Sequence, residues 1–205
     1  RKNHIPSWAS EQWRKDTAEN IRRFIHHVRG KYGKNIIGYH IASGHTEEWF
    51  YWTSYTEDFL DYSKPQTEAF RVWLRKKYTS NEALRSAWNN PDITFETARV
   101  PYKTERIRRD FFQFRDPQKS QNVIDYYIFH SEVVVETIEY LARAAKEACN
   151  YESLVGVFYG YIFELAGSGL ASQNGGHLAM AKMLRCRNVD FYTAPTSYMA
   201  RQDRK

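Results

Sequence analysis

From Ser10 the chain reads SEQWRKDTAENIRRFIHHVRGKYG, and Trp13, Ile21, Phe24, Ile25 and Val28 fall on one face of a helical wheel, with charged residues on the other. An apolar stripe of that period must face a core, so the segment predicts an amphipathic helix, capped by Ser10 and closed by Gly30 and Gly33. NIIGYHIA follows at once, a β-branched run that predicts a short buried strand. A helix feeding directly into an apolar strand is the repeating unit of a parallel sheet. Farther on, SKPQTEAFRVWLRKKY sets Phe70, Trp73, Leu74 and Tyr78 in a second stripe behind the cap Ser63 and Pro65. SNEALRSAWN adds a shorter helix with Leu84 and Trp88 inward, and residues 90 to 115 are irregular. Asp116 and Pro117 then open a long helix in which Val123, Tyr127, Val134, Ile138, Leu141 and Ala145 keep helical period. LVGVFYGY, residues 154 to 161, predicts a second strand; GGHLAMAKMLRC predicts another helix, and NVDFYTAP a third strand.

Helix, strand, helices, strand, helix, strand in one chain of 205 residues predicts an α/β fold in a single domain spanning 1–205. Its parts are a helix at 1–35, a strand and polar turn at 36–52, a helical insertion at 53–115, the long helix and second strand at 116–161, and loop, helix and strand at 162–205. Polar and aromatic residues gather at the C-terminal ends of the strands, in SGHTEEW, YGYIFE and PTSYMAR. Ligands bind at that edge in parallel sheets and barrels, where the connecting loops converge. No Gly-rich phosphate fingerprint follows a strand, which disfavours a nucleotide site and favours a barrel over a doubly wound sheet; no cofactor is expected.

Composition changes this picture little. An apolar share of 42% is ordinary, while 16% aromatic, with six Trp and fifteen Tyr, is high and suits either core volume or stacking on flat ligands. The net charge of +6 raises the question of nucleic acid, but RKNH, WRKD, IRRF, WLRKKY and RIRRD stand at helical spacing beside Glu and Asp, the pattern of a solvated face. No apolar run approaches a membrane span, and neither a nucleic acid nor a membrane is expected as partner. Cys149 and Cys186 lie in apolar helical contexts without ligand spacing and predict free thiols that fix no compartment. The opening on Arg1 rather than Met suggests a piece of a longer polypeptide.

The candidate chemistry lies after the first strand. Glu47 and Glu48 sit among Trp49, Phe50 and Trp52; a carboxyl held against aromatic rings is desolvated, holds its proton nearer neutral pH and can act as general acid in glycoside cleavage. A pair of exposed loop carboxylates is the alternative. His40 and His45 could hold sugar hydroxyls, as could Tyr159 and Tyr161, which alternate to one side if the strand stays extended. Asn174 to His177 could cap the site, Tyr198 and Arg201 follow the third strand, and Trp49 and Trp52 could stack on a pyranose or fill core. Metal binding by His40, His45 and His177 is disfavoured, because no single element sets them at ligand spacing.

With these residues in view, IIGYHI, the acidic-aromatic turn, EAF and VWLRKKYTSNEALRSAWNNPDITFETARVP together resemble the catalytic barrel of β-galactosidases of glycoside hydrolase family 42 and their neighbours, best over residues 36 to 101. GVFYGY, GGH and DFYTAPTSYMARQ look like the fifth and sixth strand regions of a related group. The resemblance implies a partial TIM (β/α)8 barrel, strands four to six with their helices, ending before strand seven. It also implies a retaining glycoside hydrolase acting on carbohydrate. In the family the fourth strand ends in Asn, then the acid/base Glu, then an aromatic residue. Here Ser43 and Gly44 stand at the gapless positions, and Glu48-Trp49 matches after a short insertion, with Glu47 in place of Asn. The resemblance thus carries the acid/base role to Glu48, with Glu47 competing. It puts the nucleophile on strand seven, beyond residue 205; Glu164 is the internal alternative. The piece alone would then be inactive, and its open sheet edges would pair with missing chain or another copy. A non-catalytic carbohydrate-binding or degenerate barrel is the competing class.

Overall fold

Helix α1, Glu11–Tyr32, starts where Ser10 accepts the amide N–H of Trp13 at 3.3 Å, the side-chain cap that its sequence predicts. The structure, a computed structural model, describes residues 5–44, 47–51, 59, 61–108, 110, 114–162 and 171–195. After α1 come strand β1, Gly38–Ile41; α2, Lys64–Tyr78; α3, Asn81–Trp88; α4, Lys103–Arg106; and α5, Pro117–Ala148. Strand β2, Leu154–Phe158, the short helices α6, Ala171–Asn174, and α7, Met180–Met183, and strand β3, Phe191–Thr193, complete the described elements. Ser63, Ser80 and Asp116 cap α2, α3 and α5 by accepting the N–H of Gln66, Ala83 and Gln118.

The three strands are parallel in the order β1-β2-β3. One face of the sheet is buried: Ile41, Val155 and Val157 lie under α5, whose Val134, Ile138, Leu141 and Ala145 are at most 1% exposed. α5 packs on α1, β1 and β2 and so joins the helix layer to the sheet. At its far end Lys146 donates to Ser153 O at 2.9 Å and pairs with Asp190 at 2.5 Å, while Asp190 accepts the N–H of Val155 at 2.6 Å. That triangle fixes the entry of β3 beside β2. The insertion is pinned by one carboxylate: Asp125, fully buried in α5, accepts from Lys77, Tyr78, Trp88 and Gln121 at 2.6 to 2.7 Å.

The opposite face of the sheet is open. Its rows hold Gly38, His40, Gly156, Phe158, Phe191 and Thr193, in register across the three strands. Gly156 has no room for a side chain, since a Cβ there would lie 2.1 Å from the Phe191 ring. Among the described residues β1 and β3 each pair on one side only. Beside the free edge of β1, a groove of about 630 Å³ runs along α1 past Phe24, Ile25, Ile36 and Tyr39, and Ile37 is 85% exposed.

The strands and the last helix are shorter than the sequence predicts. Asn35 belongs to a 3-10 turn and Ile36 and Ile37 precede β1, because that strand is paired along one side only. β2 stops at Phe158, and Gly160 at φ +100 turns the chain out of the extended line. α7 begins only at Met180: Gly176 takes φ +75, and the Ala179 N–H donates to the Tyr159 hydroxyl at 3.3 Å instead of entering a helix earlier.

Candidate active site

The carboxylate turn is closed on itself just past β1. Ser43 and Glu48 form an isolated β-bridge, and the Trp49 N–H donates to Ser43 O at 3.0 Å. Gly44, at φ +87, is needed here, because a Cβ would stand 2.6 Å from the Phe50 carbonyl oxygen. Glu47 and Trp49 also take positive φ, 70 and 61 degrees, a conformation that side chains disfavour and that persists where surroundings over-determine it. The surroundings here are aromatic. Trp49 is 0% exposed and donates its indole N–H to Ile41 O at 3.1 Å, and Trp8 donates its own to Ser43 Oγ at 3.2 Å. Between them the turn holds Glu48 half-buried and leaves Glu47 exposed.

His177 links this turn to the end of β2. Its Nδ1 accepts the N–H of Gly160 at 3.2 Å and of Tyr161 at 3.3 Å. Its ring stacks on Tyr159 at 4.4 Å and meets Tyr161 and Phe50 edge-on. Complete burial lowers the imidazole to about pH 3, against the backbone carbonyls of Trp49 and Glu48, which favour its protonated form.

On the open face, His40 packs on Phe158 at 4.2 Å, with its Nε2 3.4 Å from Thr193 Oγ1. Partial burial lowers its pKa, and the negative charge of Glu47 works in the other direction.

Several expected sugar contacts are instead packed away. Trp49 is core, both its indole faces covered, and not a stacking platform. Tyr159, Tyr161 and His177 are 1%, 2% and 0% exposed, so in this chain they support the rim from beneath. The expected same-side alternation of the two tyrosines fails at Gly160: Tyr159 donates to Gly176 O at 3.1 Å within the main core, while Tyr161 clusters with Phe50 and Phe158. His45, Trp52, Glu164, Tyr198 and Arg201 lie outside the described residues.

The sequence reading missed a buried polar layer beneath the turn. Tyr51 Oη lies 3.2 Å from Asp61 Oδ2, Gln66 Nε2 reaches Tyr126 Oη and His130 Nδ1 at 3.3 and 3.4 Å, and Arg106 donates to Asn174 at 3.0 Å. Burial, then the Arg106 charge, lowers His130 to about pH 4. The available signal was a histidine on the inward stripe of α5, four residues from both Tyr126 and Val134. Among the described residues no group of three His, Cys, Asp or Glu could hold a metal ion, and no helix is long and apolar enough to cross a membrane. Cys149 and Cys186 are free thiols.

A parallel sheet layered with helices, bearing its carboxylate turn at the strand C-termini, is the α/β arrangement of TIM-barrel glycosidases. The catalytic domain of β-amylase from Paenibacillus polymyxa shares it, with a TM-score of 0.66 over 87% of this chain and 46% of that one, at 16% identity. At that identity the likeness is one of fold, and this chain spans about half the length of that domain. The β-galactosidase from the psychrophilic Marinomonas ef1 gives a TM-score of 0.48 at 20% identity, over 73% of this chain and 20% of that one. Among curated proteins no sequence matches. Residues 2–202 match glycoside hydrolase family 42, described as Beta-galactosidase, and the chain belongs to that family.

Proposed function

We propose that the intact protein is a retaining glycoside hydrolase acting on β-galactosides, with these three strands as strands four to six of its barrel and Glu48 as acid/base. The observation that carries the reading is the link across the rim. Glu48 is bridged to Ser43 just past β1, and Phe50, two residues on, meets edge-on the ring of the histidine that binds Gly160 and Tyr161 just past β2. A glutamate in a half-buried turn at the C-terminal edge of a parallel sheet stands where substrate arrives, the position a general acid needs.

In this mechanism the Glu48 carboxyl gives its proton to the glycosidic oxygen as the bond to the anomeric carbon lengthens. As carboxylate it then takes a proton from the water that releases the sugar. Retention needs a second carboxylate about 5 to 5.5 Å away as nucleophile, which we assign to another strand of the barrel. The free edges of β1 and β3 pair with neighbouring strands of that barrel. His40, with Phe158 and Thr193 on the open face, is the described residue best suited to touch the sugar.

The test is hydrolysis of a panel of aryl β-galactosides of graded leaving-group acidity by the intact protein and by Glu48→Gln. The variant should lose about 100-fold or more on poor leaving groups and far less on good ones. Equal rates across the panel would overturn the assignment. Sugar binding without turnover by the parent would instead make the protein a carbohydrate-binding barrel.

A further inference from the structure

One buried residue from ahead of the first helix grips both legs of the turn that bears Glu48. Trp8, 1% exposed, donates its indole N–H to Ser43 Oγ at 3.2 Å, and Ser43 is the residue bridged to Glu48. On the other leg the Trp8 ring lies 5.8 Å from that of Trp49 and stacks on Tyr51, whose hydroxyl also accepts the Trp8 amide N–H at 3.4 Å. Trp8 is itself fixed from outside the turn, because its carbonyl accepts from Arg14 on α1 and from Thr137 on α5.

We propose that Trp8 is a positioning residue of the acid/base turn: the indole N–H it gives to Ser43 holds the first leg of the turn against the second and thereby sets the direction of the Glu48 carboxyl. The inference rests on the reading of Glu48 as proton donor. Glu47 and Trp49, on either side of Glu48, both hold left-handed backbone, which persists only where neighbours over-determine it. The bond from Trp49 N–H to Ser43 O closes the turn, and Trp8 touches both residues of that bond. A proton donor displaced by about 1 Å loses on the order of 100-fold in rate, so a residue that never touches substrate can still govern the step.

Three variants of the intact protein separate positioning from packing. Trp8→Phe keeps an aromatic ring on Tyr51 and removes the donor, Ser43→Ala removes the acceptor from the other side, and Ser43→Thr keeps a hydroxyl. Two readouts apply to each: the leaving-group dependence on aryl β-galactosides, and hydrogen exchange of the Trp49 amide compared with that of Val157 in the core of β2. Trp8→Phe and Ser43→Ala should each slow hydrolysis of poor leaving groups about tenfold more than that of good ones, and in each the Trp49 amide should exchange about tenfold faster while Val157 is unchanged. Ser43→Thr should recover part of both effects. Combined, Trp8→Phe and Ser43→Ala should cost no more than either alone, because they break the same bond. Added to Glu48→Gln, Trp8→Phe should cost nothing more, since a misdirected carboxyl and an absent one are equivalent.

Parental Trp49 exchange in folded Trp8→Phe, losses uniform across leaving groups, or additive losses in the double variant would overturn the proposal. So would a loss in Ser43→Ala that Trp8→Phe does not share, which would make the hydroxyl important for a reason other than its bond to Trp8. If Trp8→Phe does not fold, Ser43→Ala is judged by the same two measurements. If the parent hydrolyses no glycoside, or Glu48→Gln is fully active, it is the Glu48 reading that fails, and Trp49 exchange alone decides whether Trp8 holds the turn.

Discussion

The indole of Trp8 lies flat on the phenol ring of Tyr51, with centroids 4.2 Å apart and planes 7° from parallel. Trp8 thus meets the turn after β1 from both sides, through the stack at Tyr51 and its hydrogen bond to Ser43, while its carbonyl accepts from Arg14 at 2.7 Å and Thr137 at 3.0 Å. A residue ahead of the first helix therefore fastens the carboxylate turn to α1 and α5.

Trp8→Ala should cost about 3 to 5 kcal/mol, the usual range for emptying a large aromatic site. Trp8→Phe keeps the stack and loses the Ser43 bond, so about 1 kcal/mol is expected. Urea unfolding midpoints of the two variants check the order, and equal midpoints would contradict it.

Asp125 makes a second anchor. Its carboxylate receives four donors from α2, α3 and α5 and is wholly buried, although Lys77 itself is 33% exposed. Asp125→Ala strands the Tyr78 hydroxyl and the Trp88 indole without an acceptor and should cost about 3 kcal/mol. Lys77→Met removes only a partly solvated charge and should cost about 1 kcal/mol or less. Differential unfolding of the insertion, followed by Trp fluorescence, separates the two.

Much of this was legible in the sequence. Ser10, Ser63 and Asp116 cap the helices as their positions imply, and the stripes of α1, α2 and α5 face inward at Ile25, Phe70, Leu74 and Ile138. The three caps that flank apolar stripes work because cap and stripe are both local signals. What was not legible depends on distant partners. Nothing near Trp8 in sequence announces Tyr51, and GGHLAMAK reads as a helix start until Gly160 and Tyr161 supply the N–H groups that draw His177 away. Trp49 next to two glutamates looks like a sugar platform, and only the Ile41 carbonyl and Trp8 make it core.

The two buried histidines predict a pH dependence. His130 and His177 are lowered to about 4 and about 3, mainly by burial, from an ordinary value of about 6.5. Between those values and 6.5 the unfolded chain binds protons that the folded one does not. The stability they contribute is therefore complete above pH 6.5 and is lost as pH falls toward the folded values. At about 1.4 kcal/mol per pH unit and group, going from pH 6.5 to 5 should cost about 2 kcal/mol for each histidine. Around His130 the Arg106 charge adds to the lowering and the Asp61 charge opposes it. Urea midpoints at pH 7.5 and 5.0 should fall in the parent and fall by about half as much in His130→Gln, and a flat profile would refute the burial argument.

Glu47 and Glu48 are adjacent, and one substitution tells them apart. Glu47 is exposed and sits at φ 70, whereas Glu48 is half-buried and bridged to Ser43. Glycine adopts the left-handed conformation without strain, so Glu47→Gly should leave the fold intact and stabilise it by up to about 1 kcal/mol. If Glu48 donates the proton, the variant keeps hydrolysis within a few-fold of the parent and keeps the parental leaving-group dependence. If Glu47 is the donor, the same substitution removes the carboxyl and the rate on poor leaving groups falls by about 100-fold or more. Loss of the Glu47 charge also removes the attraction that favours protonated His40, so the His40 pKa should drop in the variant. An NMR titration of that imidazole reports the change whether or not the protein turns over a glycoside, which ties the stability, the rate and the electrostatics of the turn to a single residue change.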